Sequence, residues 1–529
     1  MIITERKRCV KLKKKTKKYV TSVFWISISM VIVVVLLGSA FSTGFQAVTG
    51  HIRNFIGNYL GWYYLLLVTG IVFFCVIVII SPVGQIRLGD PDSKPEYSKL
   101  SWIAMLFSAG MGIGLVFWGA AEPLSHYAVS APEGQVGTQK ALADSFRYTF
   151  FHWGIQAWAV YAVVALSLAY FKFRKKEKSL ISVTLKPIFG QKTDGVWGKI
   201  IDSIAVFATV IGVATTLGFG AVQINGGLSY LFGVPKNITV QILIIASTTV
   251  LFIMSALSGI GKGVKILSNI NAILAIGLLA IAIIVGPSLS IMNTFVESLG
   301  GYLQEFLNMS FHTGAFDTKQ QAWIQSWTIF YWAWWISWSP FVGVFIARIS
   351  KGRTIREFLM NVLLIPTLFC FLWFSTFGTL STTAQRQGAE LTKLSTEEVL
   401  FGTFNHYPLG MVLSIIATLL IFIFFITSAD SATFVLGMLS ENGSLNPHNK
   451  VKAVWGVLLS TFAVVLLMAG GLDALQNVLI IVALPFSIVI LLMMISLYIE
   501  LRHEKREMGL YIKPETYPSK DEPFKSYED

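Results

Sequence analysis

The chain has 529 residues, of which 54% are hydrophobic and only 13% charged, and its mean hydropathy is +0.67. A soluble protein carries about 25% charge, so this composition excludes a cytosolic globular enzyme and a disordered chain. The net charge of +13 does not point to nucleic acid, because a membrane protein collects Lys and Arg in its cytoplasmic loops.

A hydrocarbon core about 30 Å thick needs about 20 apolar residues of helix to cross it. The sequence contains twelve such runs: 19–41, 61–81, 100–121, 148–171, 200–220, 238–258, 266–287, 327–347, 358–378, 409–436, 453–470 and 476–499. The expected class is therefore an all-α membrane protein. The first run is too long for a signal-peptide core and lacks a convincing small-residue cleavage site, so it is read as a span. Lys and Arg test the count. With the N-terminus inside and strict alternation, the inner segments hold 34 of the 41 Lys and Arg. The outer loops hold 7: Arg53, Lys140, Arg147, Lys236, Lys319, Arg386 and Lys393. That asymmetry places both termini in the cytoplasm.

Cys9 lies in the basic tail, and Cys75 and Cys370 lie in apolar runs; neither a disulfide framework nor a metal site is expected. Residues 291–310 carry Phe295, Leu299, Tyr302, Leu303 and Phe306 at helical spacing. They read as an amphipathic helix on the outer surface, or as a loop helix covering the bundle. From Glu500 to Asp529 the chain is charged and poor in apolar residues, so a helical start fading into disorder is expected.

The third run contains Ser108-Ala109-Gly110-Met111-Gly112-Ile113-Gly114-Leu115. Each glycine weakens a helix by about 1 kcal/mol relative to alanine. Unwound backbone inside a membrane survives only where protein or a watery cavity satisfies it, and secondary transporters place their sites at such breaks. Close helix packing through small residues is the alternative, but packing motifs space them four apart.

The fourth run carries Trp153, Trp158 and Tyr161 within about 140° of one helix face. The eighth carries Trp327, Tyr331, Trp332, Trp334, Trp335 and Trp338. Of these, Tyr331, Trp334, Trp335 and Trp338 share an arc of ~100°. Interfacial belts also collect Trp, but a belt is about one turn deep and this stripe runs through several. Such rings suit a quaternary ammonium, which has no N–H to donate; aromatic faces hold it by about 2 kcal/mol or more where water is excluded. A zwitterion fits best, its carboxylate meeting free N–H groups at the glycine break.

The tenth run holds Phe424, Thr427, Ser428, Asp430 and Ser431, and the fifth holds Thr209, Val213 and Thr216. Their hydroxyls suit Na⁺; bonding between helices or back to the preceding turn is the alternative. Asp202 and Asp430 are the acids read as near or within spans, and His152 the histidine. Asp202 suits a helix N-terminus, and His152 beside Trp153 is expected to pack. Proton coupling through His152 or Asp430 is a minor alternative.

At these residues the sequence resembles the betaine/choline/carnitine transporter family, above all its bacterial sodium-coupled glycine betaine carriers. The likeness runs through Ala109–Leu115, Gly119-Ala-Ala-Glu-Pro123, Phe151-His-Trp-Gly154, Trp332-Ala-Trp-Trp-Ile-Ser-Trp-Ser-Pro-Phe341 and Thr427-Ser-Ala-Asp-Ser431, and covers roughly residues 20–500. It implies twelve transmembrane helices, with two inverted five-helix repeats as in amino-acid/sodium symporters. The repeats fall at 100–287 and 327–499. They are preceded by a tail at 1–18 and two peripheral helices in 19–99. An outer segment at 288–326 separates them, and a charged tail follows at 500–529. Trp153, Trp158, Tyr161 and Trp335 would box the trimethylammonium, with Gly112 and Gly114 beside it. Phe117 and Trp338 would line the inner pathway.

The resemblance also implies two sodium sites and no other cofactor. Carbonyls of Ser108, Met111 and Phe424 with the hydroxyls of Thr427 and Ser428 would form the first. Thr209 and Phe341 would form the second, where Val213 stands in place of a threonine. Gly114 replaces the acid of choline carriers, which favours a zwitterion. The implied protein is a plasma-membrane symporter, not an enzyme, importing an osmoprotectant and assembling as a homotrimer. Its basic tail would meet anionic lipid. That basic N-terminus and mixed C-terminus depart from the acidic and basic tails of the best-known osmotic sensor of the family. Carriers of carnitine, proline betaine, ectoine or choline are the near alternatives. A membrane-embedded enzyme or a channel is a distant one, since no polar catalytic set or polar lining stripe is found.

Overall fold

The computed structural model describes residues 20–110, 112–258 and 263–509, with the side chains of 107–110, 258 and 263–265 outside it. Among the described residues, regular structure is helical apart from a single bridge between Arg87 and Thr354.

The first half of the chain forms α1 (Ser22–Ala40), α2 (Ser42–Ile80), α3 (Lys99–Gly110), α4 (Ile113–Ala128), α5 (Gln139–Trp153) and α6 (Ile155–Ala169). A short α7 (Lys186–Phe189) follows, then α8 (Val196–Phe232), α9 (Ile238–Ser258) and α10 (Gly263–Val285). The second half forms α11 (Ser288–Gln304), α12 (Phe306–Phe311), α13 (Thr318–Ser326), α14 (Thr328–Ile349), α15 (Ile355–Arg386), α16 (Val399–Phe404), α17 (Gly410–Ser440) and α18 (Asn449–Glu507). Ten of the described helical segments are long and apolar enough to cross a membrane. Their outward faces carry Ile77, Ile80, Leu243, Val250, Ile273 and Ile284, all exposed. A solvated surface would not present contiguous apolar patches of this kind. This is a multi-pass membrane protein.

Several helices outrun the apolar runs that announce them. α2 has 39 residues and α8 has 37, so at 1.5 Å per residue each is about 55–60 Å long. The eleventh and twelfth runs lie in one helical stretch, α18, which bends where Gly470 and Gly471 leave helical geometry. The third run is divided between α3 and α4, with Gly112 extended between them (φ −151°, ψ −166°).

The fourth run is interrupted too. α5 stops at Trp153, Gly154 is non-helical, and α6 starts at Ile155. A Cβ on Gly154 would lie 2.4 Å from the Phe150 carbonyl oxygen, so no larger residue fits this turn. Trp153 therefore does not share a continuous helix with Trp158 and Tyr161, as the spacing suggested.

Burial grades from centre to rim. α4, α6, α8 and α14 are largely enclosed; α14 packs along α6 and α8, and α4 sits against α5, α8 and α15. α1, α9 and α10 bury only one face. α11 lies across α5 and α15 and fastens itself with the Tyr302 hydroxyl on Gln156 Oε1 at 2.8 Å. Phe295, Leu299 and Phe306 face the bundle with Tyr302, whereas Leu303 is exposed. The amphipathic stripe is thus narrower than its spacing implied.

Candidate substrate and ion site

The breaks in the third and fourth runs bring α4, α5 and α6 against α14. Trp153, at the last residue of α5, lies 4.9 Å from Trp335 and 5.5 Å from Tyr331, centroid to centroid, edge to face. Tyr161 of α6 approaches Trp335 at 6.1 Å, and Trp158 lies 5.6 Å from Tyr161. Trp153, Trp158, Tyr161 and Trp335 thus form one connected cluster of buried rings. Edge-to-face pairs place positive ring edges on negative ring faces, a geometry worth about 0.5–1.5 kcal/mol per pair beyond burial.

The indoles of α14 also point inward, which removes the lipid-interface belt as their explanation. Trp332, Trp334, Trp335 and Trp338 of α14 are all buried, as is Trp323 of α13. Most of their N–H groups reach another element. Trp335 Nε1 donates to the His152 carbonyl at 2.9 Å, Trp338 Nε1 to the Gly212 carbonyl at 2.9 Å, and Trp334 Nε1 to Thr216 Oγ1 at 3.3 Å.

The start of α4 abuts this cluster. A Cβ on Gly114 would stand 2.7 Å from Trp334 Cη2 and 3.2 Å from Trp153 Cη2; one on Gly112 would meet Trp338 Cη2 at 3.5 Å. Glycine at 114 is therefore what allows backbone and indoles to touch. The same approach leaves the first N–H groups of α4 near the rings, and such groups have no partner within their own helix. Phe117, one turn on, stacks on Phe219 at 5.1 Å, and Phe219 meets Trp334 at 5.2 Å. Trp338 lies further along α14, against Phe341 at 5.6 Å. A surface cavity of about 400 Å³ between Lys99, Arg356 and Met360 lies apart from the cluster.

The hydroxyls expected to bind sodium are differently placed. Thr427 and Ser428 are half-buried on α17, and Phe424 is buried one turn before them. Thr427 Oγ1 donates back to the Ile423 carbonyl at 3.0 Å and accepts from Asn271 Nδ2 of α10 at 3.1 Å. Met111 and the Ser108 side chain, the third-run members of that set, lie outside the described residues. On α8, Thr209 Oγ1 donates to the Ala205 carbonyl at 2.8 Å, and Val213 is buried and apolar. Thr216 meets Trp334 and Gly212 meets Trp338 across the contact of α8 with α14, and Thr209 and Phe341 lie further along the same two helices, both buried.

The remaining ionisable groups divide sharply. Asp202 accepts from the backbone N–H of Ser182 at 2.8 Å and from its hydroxyl at 2.7 Å, which caps the short turn Ser182–Leu185. Asp430 accepts from Ser255 and ties α17 to α9. His152 does more than pack. Its Nδ1 lies 2.7 Å from Glu122 Oε1 and its Nε2 3.0 Å from Thr328 Oγ1. Glu122 and His126 of α4, both fully buried, were missed by the sequence reading because the third run was ended at residue 121. The signal was there: Glu122, His126 and the apolar residues between them continue the helical period to Ala128. Glu122, His126 and His152 approach within 4.8 Å of one another. Their facing atoms already bond one another, so the arrangement is a hydrogen-bond network.

Comparison with known proteins agrees with this architecture. Residues 22–506 match the profile of the betaine/carnitine/choline family transporters. The chain is 58% identical over 492 residues to the glycine betaine transporter OpuD of Bacillus subtilis, covering 93% of this chain and 96% of that protein. It is 43% identical to an ectoine/hydroxyectoine transporter of Virgibacillus pantothenticus, over 90% of this chain and 95% of the relative. A probable glycine betaine transporter of Desulfitobacterium hafniense is 40% identical over 91% of this chain and 98% of its own length. The chain is a transporter, not an enzyme, and belongs to the betaine/carnitine/choline transporter family.

Proposed function

We propose that this protein imports glycine betaine, or a close trimethylammonium zwitterion, as an osmoprotectant, driven by sodium across the cell membrane. The observation that carries the reading is the junction of a buried tryptophan cluster with a helix break. Trp153, Trp158, Tyr161 and Trp335 offer ring faces to a cation that cannot hydrogen-bond, an attraction of about 2 kcal/mol or more in a dry site. The N–H groups at Gly112–Gly114 suit the carboxylate of the same molecule. No acid stands at 114, so nothing there repels that carboxylate. Relatives that carry glycine betaine support the substrate.

In this reading α3 and α4 together cross the membrane once and α18 crosses twice about Gly470–Gly471, for twelve spans with both termini cytoplasmic. The segments 100–287 and 327–499 are inverted repeats that rock against each other around a midplane site. Phe117 and Trp338 line the inner path. Sodium sits between α3 and α17, on carbonyls of Ser108, Met111 and Phe424 and the hydroxyls of Thr427 and Ser428. A second ion near Thr209 and Phe341 would have Val213 beside it in place of a hydroxyl, so its shell would be poorer in oxygen. Homotrimers form, and the basic tail rests on anionic lipid.

Counterflow of labelled glycine betaine in proteoliposomes, with and without an inward sodium gradient, tests the proposal. Accumulation that requires sodium and is competed by trimethylammonium zwitterions is expected. Sodium-independent exchange would overturn the coupling, and no competition by glycine betaine would overturn the substrate. The 43% identity to the ectoine carrier favours one second reading. Unlabelled ectoine that competes better than glycine betaine would establish it.

A further inference from the structure

Against Trp153 and Tyr331 of the aromatic cluster lies a carboxylate whose every bond leads to an aromatic residue. Glu122 is fully buried. Its Oε1 faces His152 Nδ1 at 2.7 Å and His126 Nε2 at 3.3 Å. Its Oε2 accepts from Trp153 Nε1 at 2.7 Å and from the Tyr331 hydroxyl. Two bonds per oxygen match the four acceptor positions of an ionised carboxylate.

Neutral histidines satisfy the network. In the tautomer protonated at Nδ1, His152 donates to Glu122 and its Nε2 accepts from Thr328 Oγ1. His126 donates through Nε2, and its Nδ1 is buried with no partner. A proton on that nitrogen would leave an N–H buried and unsatisfied, which costs more than an idle lone pair. With the carboxylate ionised and both histidines neutral, the assembly carries one net negative charge. That charge bears directly on Trp153 and Tyr331, while Trp335 is tied to the same corner by its bond to the His152 backbone carbonyl.

We infer that Glu122 is a positioning residue for the aromatic site and the source of its negative potential. It holds the Trp153 and Tyr331 rings by their polar edges, and the indole N–H donated to a carboxylate pushes electron density toward the ring face. The onium group meets faces made more negative than those of a free indole. It does so without touching a carboxylate that would compete with the substrate's own. The idea rests on the proposed function: it explains how that site prefers a methylated cation.

The test separates charge from shape. 3,3-Dimethylbutyrate has the outline and carboxylate of glycine betaine but a neutral carbon in place of the nitrogen. Binding of both is measured by tryptophan fluorescence on the full-length protein in proteoliposomes. Wild-type protein should prefer the onium. Glu122→Gln should lower affinity for glycine betaine by about ten- to a hundredfold, the range for a bond to a charged group, and barely change affinity for the isostere. Equal losses for both would make Glu122 merely structural and overturn the inference, as would an unchanged preference. Should Glu122→Gln fail to insert, Glu122→Asp keeps the charge. Its onium-to-isostere ratio should stay at the wild-type value even where both affinities fall, and a collapsed ratio would overturn the inference. Wild-type protein that binds neither compound would overturn the proposed function as well. A wild type that prefers the onium, beside a Glu122→Gln protein with the same preference, would remove this inference alone.

Discussion

The aromatic region between α4, α5, α6 and α14 and the hydroxyl-bearing stretch of α17 use their polar groups in opposite ways. In the first, Trp153, Trp334, Trp335 and Trp338 each donate to an element other than their own. Moving one ring breaks a bond between helices in a medium where no water replaces it. In the second, Thr427 bonds mainly to its own preceding turn and is half-buried. A hydroxyl in that state can rotate toward an ion at little cost, because the carbonyl it leaves already accepts from the helix. The contrast suggests a rigid receptor for the organic substrate beside an adaptable one for the ion.

If that contrast holds, truncating the rigid region should do the most damage. Trp335→Ala removes a ring face and the bond to His152. Glycine betaine affinity, read by fluorescence titration, should fall at least about thirtyfold, the equivalent of ~2 kcal/mol. Near-normal binding by inserted protein would remove the cluster as the substrate site. Gly114→Ala comes next. Its methyl group would stand 2.7 Å from Trp334, so the indole must move. Overpacking of this kind costs about 1–3 kcal/mol, and a roughly tenfold loss of affinity is expected, with transport unaltered only if the rings are free to shift.

The adaptable region should respond more mildly and in another variable. Thr427→Ala with Ser428→Ala should raise the sodium concentration for half-maximal uptake severalfold and leave binding at saturating sodium close to wild type. An unchanged sodium dependence would count against this region as an ion site.

The smallest effect is expected far from both. Lys236 and Glu398 pair at 2.6 Å between two loops. Burial alone would raise the Glu398 carboxyl, but the Lys236 ammonium and Ser395 hold it below the ordinary range. A carboxyl depressed on folding stabilises the protein above its unfolded value of about 4.3 and loses that contribution as pH falls through the folded one. The pair is partly exposed, so Glu398→Gln should cost under ~1 kcal/mol. The loss should show at pH 7 in thermal unfolding and shrink as pH is lowered below about 4.

Much of this was legible because the membrane imposes one simple rule on composition. Continuous apolar runs of about 20 residues had to be helices, since only helices and closed barrels satisfy the backbone in lipid and barrel strands are shorter and alternate. The glycines at 110–114 announced a break where α3 gives way to α4. Other features were invisible for a definite reason. At Gly154 a Cβ would stand 3.0 Å from the ring of Phe371, a residue far along the chain that no window of hydropathy around the fourth run contains. Leu303 shares a helical stripe with Leu299 and Tyr302 but is exposed at its edge, because only packing against α5 and α15 fixes how wide the buried face is.

The amino-acid sequence by itself determined the solvent this chain lives in, its helices and the residues rich enough in π-electrons to receive a cation. Those follow from local period and transfer free energy, which each segment carries alone. Only the tertiary structure decided that Trp153 of one helix, Trp335 of another and Glu122 of a third share one dry space. That choice depends on bonds among side chains 30 to more than 200 residues apart, and these exist only once the helices have packed.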